Sequence, residues 1–428
     1  MHWGSLNWPD IMLGLHRGTI ECQAPDDKRT WTWMVLVGNA WVAHGEAVEA
    51  ATPYLPGSFG KAPRNPEAKI SSGYKAWEFL LYITGLAPAL FKLLLPEAYW
   101  IHFCQGVYII RFFHQRRIPH TELERLRALA IDWVVKFEDL YYQRMTERLH
   151  FMRQSVHLML HLVLCVFRLG PPCNYSQWTM ERCIGLLVQE LRQPSNLYGN
   201  LSEWALIRAQ LNALFAMNPK LDIKARQAEK LPQYSHDLGK GFVLLRRRDR
   251  YAIRVEPHIA AGICSHLHLK IGDVRLKRWA RMRLPNGQIA RSLFGEAKLS
   301  LQNIRCSRVV KLLPSAGTTN GRPRIVTVAY FFLAADDHAL ALGTKFSPPD
   351  EALLTQSHGT VWSSKGPDEM IVFEATHIES VVGMVPWVRD GQEEYFLVEK
   401  PGLELATLGG YEEDDTEELE DNRDEPEL

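Results

Sequence analysis

The sequence predicts an α+β protein: a helical first half, then a small β-barrel or sandwich module, then an acidic tail. Three observations carry that prediction. Between residues 71 and 218 apolar side chains recur at three- and four-residue spacing, the period of a helix buried along one face. From Gly241 onward the runs GFVLL, RYAIRVE, SRVVKLL, RIVTVAYFFLA, EMIVFEA and EEYFLVEKPG are short, rich in β-branched and aromatic residues, and separated by turn formers. Residues 411–428 hold eleven Asp and Glu against one Arg.

Taken in order, residues 1–70 are rich in Trp and end in TPYLPGSFGKAPRNPEAKISSG, a connector dense in Pro, Gly and Ser. A connector of that length in a compact protein is functional or packed over a surface. Residues 71–218 form the helical region. Residues 75–95 are expected as one helix broken near Gly85 and Pro88, since a mid-helix proline removes a donor and clashes with the preceding turn. Residues 99–113 form another. Thr121 and Glu124 in TELE fit a capping box, with Leu123, Leu126, Ala130, Trp133 and Phe137 following at helical spacing. Residues 155–169 are expected as a buried helix stopped by Gly170-Pro171-Pro172. Thr179 caps a helix to Gln193, and Ser202 caps the next, ended by Asn218-Pro219. Residues 219–240 are a polar linker, 241–410 the β-rich module and 411–428 the tail.

Hydrophobic residues make up 46% and charged residues 23% of the 428, so a large core can form and wholesale disorder is excluded. The net charge of zero conceals an asymmetry. The tail's eleven acids and one Arg give −10, which leaves +10 on residues 1–410. A basic body with an acidic tail suits a polyanion binder whose tail competes for its own basic surface; a tail that only solubilises fits as well. Seven cysteines, an odd count without a CxxC pair, point away from a disulfide framework or zinc ribbon and toward a reducing compartment. The first residues lack the pattern of a signal peptide, and neither 79–91 nor 156–169 has the uncharged length of a membrane span.

Several constellations are candidates for chemistry. His150, His157 and His161 would share one face of a continuous helix, and His157 with His161 has the spacing of a zinc-gripping pair. No HExxH glutamate lies between them, so the metalloprotease motif is absent, and hydrogen-bonded core histidines are the plainer expectation. In CSHLH, Cys264, His266 and His268 would share one face of a strand but lack a fourth zinc ligand. No phosphate loop, GxSxG or cysteine-nucleophile pattern occurs. Basic segments are better represented: RFFHQRR at 111–117, RRRDR with Arg246, Arg247 and Arg248, and RLKRWARMR with Arg275, Lys277, Arg278, Trp279, Arg281 and Arg283. Cations interleaved with aromatics suit phosphate contact plus base stacking, although each run alone also fits a solvated face. Glu181 and Arg182 open a helix in QWTMERCIG, where an acid ordinarily serves the helix dipole.

The segment HLMLHLVLCVFRLGPPCNYSQWTMERCIGLLVQELRQPSNLYGNLSE, residues 157–203, resembles the domain near the C-terminus of CACTA (En/Spm-like) transposases. The shared order is His-x-x-x-His-Leu, Gly-Pro, an aromatic, a short spacer and an acid–Arg pair opening a helix. SQWTMER and ELRQPSNLY are close to the wording of basidiomycete elements. LNWPDIMLGLHRGTI, ATPYLPGSFGKAPRNP and KISSGYKAWEFLLY upstream, and RLPNGQIARS, FSPPDEALL, GTVWSS and VEKPGLELATLGG downstream, are similar to the same fungal elements, so the likeness covers nearly the whole chain. It implies descent from an RNase H-like enzyme that cuts and joins DNA with a DDE acid triad, where two Mg²⁺ ions about 4 Å apart are held by carboxylates. It implies that Glu181 is the third acid, that His157, His161 and Arg182 lie near it, and that the β-rich extension is a reader-like barrel. Two Asp partners would lie upstream of Met1; Asp10, the nearest acid, falls on the helix after that element. The resemblance therefore implies a nuclear, DNA-binding protein that is inactive alone and holds no cofactor alone. Mg²⁺ would serve an intact enzyme, and a further copy or a full-length transposase would be its partner. The other class left open is a non-catalytic nucleic-acid or chromatin-binding module.

Overall fold

A computed structural model describes residues 2–190, 195–221, 231, 234–245, 249–268, 270, 274–297, 305–313, 323–334 and 338–400, without the side chains at 179, 182 and 190. The protein is mixed α and β, with helices in the first half and antiparallel sheets in the second. Among the described residues no helix is long and apolar enough to cross a membrane.

The principal helices of the first half, among the described residues, are α1 (Trp8–His16), α2 (Asn39–Ala50), α3 (Ala76–Leu81), α4 (Ala87–Lys92), α5 (Glu97–Phe113), α6 (His120–Phe137), α7 (Leu162–Leu169), α8 (Trp178–Glu190) and α9 (Leu197–Met217). The expected break lies between α3 and α4 as a π-turn, Tyr82–Leu86. Pro88 falls in the first turn of α4, where its missing N–H costs nothing. Helix α6 starts one residue ahead of Thr121, behind Pro119, with no side-chain cap, so the TELE box does not form. The fixed φ of Pro119 pre-sets the chain for helix entry instead.

The core of this half is aromatic. Trp8, Trp33, Trp100, Phe103, Trp133, Phe137 and Tyr141 are fully buried, each burial contributing roughly 1.5–3 kcal/mol. His102 is stacked on Trp133 at 4.6 Å, and the two exchange bonds to each other's carbonyls, at 2.9 and 3.0 Å. Gly106 of α5 makes room for this: a Cβ there would lie 2.4 Å from the Trp8 ring and 2.8 Å from Trp133 Nε1.

Residues 155–169 depart from expectation. They form a turn (Gln154–His157), a 3₁₀ turn (Leu158–His161) and then α7, and Phe167 and Leu169 are each 64% exposed. The segment caps the helical core rather than crossing it, burying Ser155, Val156, Met159 and Val166. Helix α8 begins at Trp178, and α9 begins at Leu197 behind Asn196, so Ser202 lies inside α9 and caps nothing.

Every predicted β run holds a strand. The strands are β1 (His236–Gly239), β2 (Phe242–Leu244), β3 (Ile253–Arg254), β4 (Arg275–Leu276), β5 (Arg278–Trp279), β6 (Arg281–Arg283), β7 (Ile289–Arg291), β8 (Val309–Leu312), β9 (Arg324–Leu333), β10 (Ala339–Phe346), β11 (Ser363–Ser364), β12 (Pro367–Glu374), β13 (Ile378–Val381), β14 (Gly383–Arg389) and β15 (Gln392–Val398). The largest sheet runs β12-β10-β9-β8-β13, with β5 also on β9; the others are β1-β2-β6-β7, β11-β15-β14 and β3-β4. Strand β9 is covered on both faces. Val326, Val328 and Phe331 enter one cluster, while Tyr330 and Phe332 enter another that includes Ala260 and Ile263 of α10 (Pro257–His266). Strand β1 falls within the stretch expected as linker; residues 222–230, 232 and 233 of that stretch, and the tail, lie outside the described residues.

The two halves share one core. Val361, Val385, Trp387, Phe396 and Val398 belong to the same buried cluster as Trp8 and Phe103. The Pro/Gly-rich connector fills the seam. Arg305 donates to the carbonyls of Leu55 (2.7 Å), Pro56 (2.8 Å) and Gly60, Cys306 N donates to Pro53 O at 2.8 Å, and Gln288 Nε2 donates to Ser58 Oγ at 2.9 Å. From the helical side Arg111 donates to Thr84 O and, across the seam, to Thr360 O at 3.0 Å.

Candidate nucleic-acid interface and acidic site

Glu181 stands in the first turn of α8 and is exposed, with its amide bonded to Gln177 O. A carboxylate in that position stabilises the helix start and stays accessible to a ligand. Arg182 follows on the same helix; its side chain lies outside the described ones. Asp10 is on α1, as expected, where it pairs with Arg153 at 2.8 Å on the surface.

The three histidines do not share a helix face. His150 lies in the 3₁₀ turn Thr146–Phe151 and bonds to Glu21 O at 2.8 Å, and the chain leaves helical geometry at Met152. His157 and His161 do meet, Nε2 to Nε2 at 2.9 Å, but on the exposed surface rather than in the core. The strand expected for CSHLH is also absent. Cys264 and His266 are in the last turn of α10, with Cys264 buried, His266 Nε2 at 3.7 Å from Glu374 and His268 beyond the helix in left-handed backbone. Pro257 at the helix start and the run IAAGIC favour helix over strand there. Among the described residues no group of three or more His, Cys, Asp and Glu is placed to hold a metal. The carboxylates that two Mg²⁺ ions require are thus not assembled around Glu181 by the described residues.

Of the basic residues, Arg246, Arg247 and Arg248 lie outside the described residues. The rest occupy β4, β5, β6 and the links between them. Arg275 and Lys277 are exposed, and Arg278, Arg281 and Arg283 are half-buried. Arg278 is committed to the fold: it pairs with Asp249 at 2.8 Å and lies over the Phe294 ring at 4.2 Å. Trp279 is 3% exposed within the core beside Phe331, so its indole cannot stack on a base. Trp279 and Met282 enter the cluster of Phe331 and Leu276 that of Tyr330 and Phe332, so these apolar residues take the buried positions and the cations between them do not.

Two further cations join the same strands without belonging to the basic motif. Arg254 on β3 stands opposite Arg275 on β4, and Arg291 on β7 stands opposite Arg281 on β6. Arginines in direct cross-strand register concentrate positive charge on the two ribbons. RYAIRVE and RLPNGQIARS held the signal. Asn286-Gly287, with Gly287 at φ 84°, marks the hairpin that brings Arg291 back beside Arg281.

No family model, no curated protein and no solved structure matches this chain.

Proposed function

We propose that this chain is the C-terminal part of a CACTA-type transposase, a nuclear DNA-binding protein that belongs by descent to the DDE enzymes and does not cut DNA alone. The observation that carries the reading is the resemblance through residues 157–203, with its flanking segments at both ends of the chain. The accessible position of Glu181 at the start of α8 supports it as one member of an acid triad. On this reading the helical half is a remnant of an RNase H-like core and the antiparallel half a small barrel that reads nucleic acid. The second reading, a nucleic-acid or chromatin-binding module without catalysis, is favoured by the opposed arginine pairs of β3–β4 and β6–β7.

Both readings require DNA contact through the β3–β6 surface, and fluorescence anisotropy with labelled duplex DNA tests it. Binding should weaken steeply with salt, because phosphate contacts release counterions. Arg254→Ala, Arg275→Ala and Lys277→Ala together should lower the slope of log affinity against log salt by about 3, one for each phosphate that these side chains neutralise. These three residues are exposed, and a thermal midpoint equal to that of the unsubstituted chain checks that the fold survives. Affinity unchanged by salt and by these substitutions removes both readings. Preference for element-end sequence over random duplex selects the transposase reading; equal affinity selects the module.

A further inference from the structure

His157 closes the turn Gln154–His157, and His161 closes the 3₁₀ turn Leu158–His161. Both have right-handed helical backbone, with φ −60° and ψ −39° at His157 and φ −96° and ψ −14° at His161. Side chains four residues apart then rise from the same side of the chain. Their Nε2 atoms are 2.9 Å apart. The backbone beneath them is pinned: Val156 and Met159 are fully buried, and Trp3 Nε1 donates to Ser155 O at 2.8 Å. The scaffold of the pair is thus ordered before any ligand arrives, which lowers the entropic cost of binding one.

Two chemistries bring imidazole nitrogens this close. One is an N–H···N hydrogen bond, which is best when the two rings line up end to end; their centres then stand about 5.2 Å apart at this nitrogen separation. The other is a shared metal ion, on which two lone pairs converge. With metal–nitrogen bonds of about 2.0–2.1 Å, nitrogens 2.9 Å apart subtend about 90° at the ion, and the ring centres close to about 4.5 Å. The observed centres are 4.7 Å apart, with the rings at 69° to each other. The pair is therefore bent toward a common point. A right angle is the cis angle of square-planar and tetragonal ions and is tighter than the tetrahedral angle of zinc, so it favours Cu²⁺ and Ni²⁺. Imidazole suits these ions, whereas hard Mg²⁺ takes oxygen donors. Both side chains are exposed, so little desolvation opposes a charged ion and water can fill its remaining positions.

We propose that His157 and His161 form an open two-histidine site for a borderline divalent transition-metal ion, Cu²⁺ ahead of Ni²⁺ and Zn²⁺, with water in the other positions. This does not depend on a transposase ancestry and is separate from the Mg²⁺ chemistry that such ancestry implies. Titration of the full chain with Cu²⁺, followed by calorimetry and by the electron paramagnetic resonance of the bound ion, tests it. One ion per chain should bind more tightly than the background of the remaining histidines, with hyperfine coupling to two nitrogens. Two donors on one scaffold gain a factor of roughly 100 or more over one, so His157→Ala and His161→Gln should each weaken that binding about 100-fold. His161→Gln keeps a hydrogen-bonding group beside His157 and removes the imidazole donor. A thermal midpoint without metal equal to that of the unsubstituted chain checks the fold of each variant. His258→Ala, at an exposed histidine of α10, should leave the binding unchanged. Ni²⁺ and Zn²⁺ should bind the same site more weakly, and acidification should release each ion because protons compete for the donor nitrogens. Cu²⁺ binding that is equal in the unsubstituted chain and in both variants overturns the proposal and leaves the pair a hydrogen bond only. A resonance that shows a single nitrogen on the ion overturns it as well.

Discussion

Asp26 and Arg148 are 122 positions apart and meet in the interior, Nε to Oδ2 at 2.8 Å and Nη2 to Oδ1 at 2.6 Å, with both side chains under 5% exposed. Trp31 Nε1 donates to the same carboxylate at 2.9 Å. Arg148's hydrogen bonds hold the Asp26 carboxyl below its ordinary range. Removing one member of a buried pair strands the other charge, so Asp26→Asn should cost on the order of 3–5 kcal/mol in a urea unfolding titration. Asp27→Asn, one residue on, should cost under about 0.5 kcal/mol, because its pairing with Arg29 is in solvent. The sequence presents the two acids of APDDKRT as equivalents. Local pairing of Asp27 with Arg29 is legible from spacing, but the long-range partner of Asp26 is not. Trp279 misleads for a related reason. RLKRWARMR shows cations and an aromatic together, and only the strand register reveals that the indole faces inward while Arg275 and Lys277 face out.

Elements are more legible than residues. Strands β2, β3, β8, β9, β12 and β15 sit in the runs marked by β-branched and aromatic content, since that content is what a half-buried pleated surface selects. The α3–α4 break is legible from Gly85 and Pro88, whereas α10 is hidden because a short alternation of Cys and His imitates a strand. The connector's role needs the fold: its composition marks a loop, but the groups that hold it come from residues 288, 305 and 306. Arg305 satisfies the carbonyls of Leu55, Pro56 and Gly60 from one planar guanidinium, a fork no other side chain supplies. Arg305→Lys can reach part of this set and Arg305→Met none of it. Each buried carbonyl left unsatisfied costs about 1–3 kcal/mol. The expected order of stability is wild type, then Lys, then Met. Hydrogen exchange should quicken first at the amides of Phe59, Gly60 and Cys306, whose bonds depend on the connector's path. Uniform exchange across the chain in the Met variant would show that the connector does not open on its own.

At the scale of the whole molecule, the charge asymmetry between body and tail is plain in the sequence, whereas the shared core of the two halves is not. That core has a consequence for pH. His16, His44 and His102 are buried in it, and desolvation lowers each to about 3 from an ordinary 6.5. Each is held neutral with a partner: Tyr141 hydroxyl at 3.2 Å, Tyr82 hydroxyl at 2.7 Å and Trp133 carbonyl at 2.9 Å. Above pH 6.5 these histidines are neutral whether the chain is folded or unfolded, and they leave stability independent of pH. Below it the unfolded chain takes up protons that the folded chain refuses until about pH 3, so stability falls with pH through that window. The slope approaches about 1.4 kcal/mol per pH unit for each histidine, or roughly 4 for the three together. Against a typical total of about 5–15 kcal/mol, the fold should fail well before pH 3. Asp26 and Glu78, which are also lowered in the folded state, add to the loss only once the pH nears ordinary carboxylate values. The interval between pH 6.5 and 5 therefore isolates the histidines. Calorimetry should find a thermal midpoint that is level from pH 8 to 7 and falls steeply from 6.5 to 5. A midpoint unchanged across that second interval would mean that these histidines are protonated inside the fold, and that the aromatic core admits water.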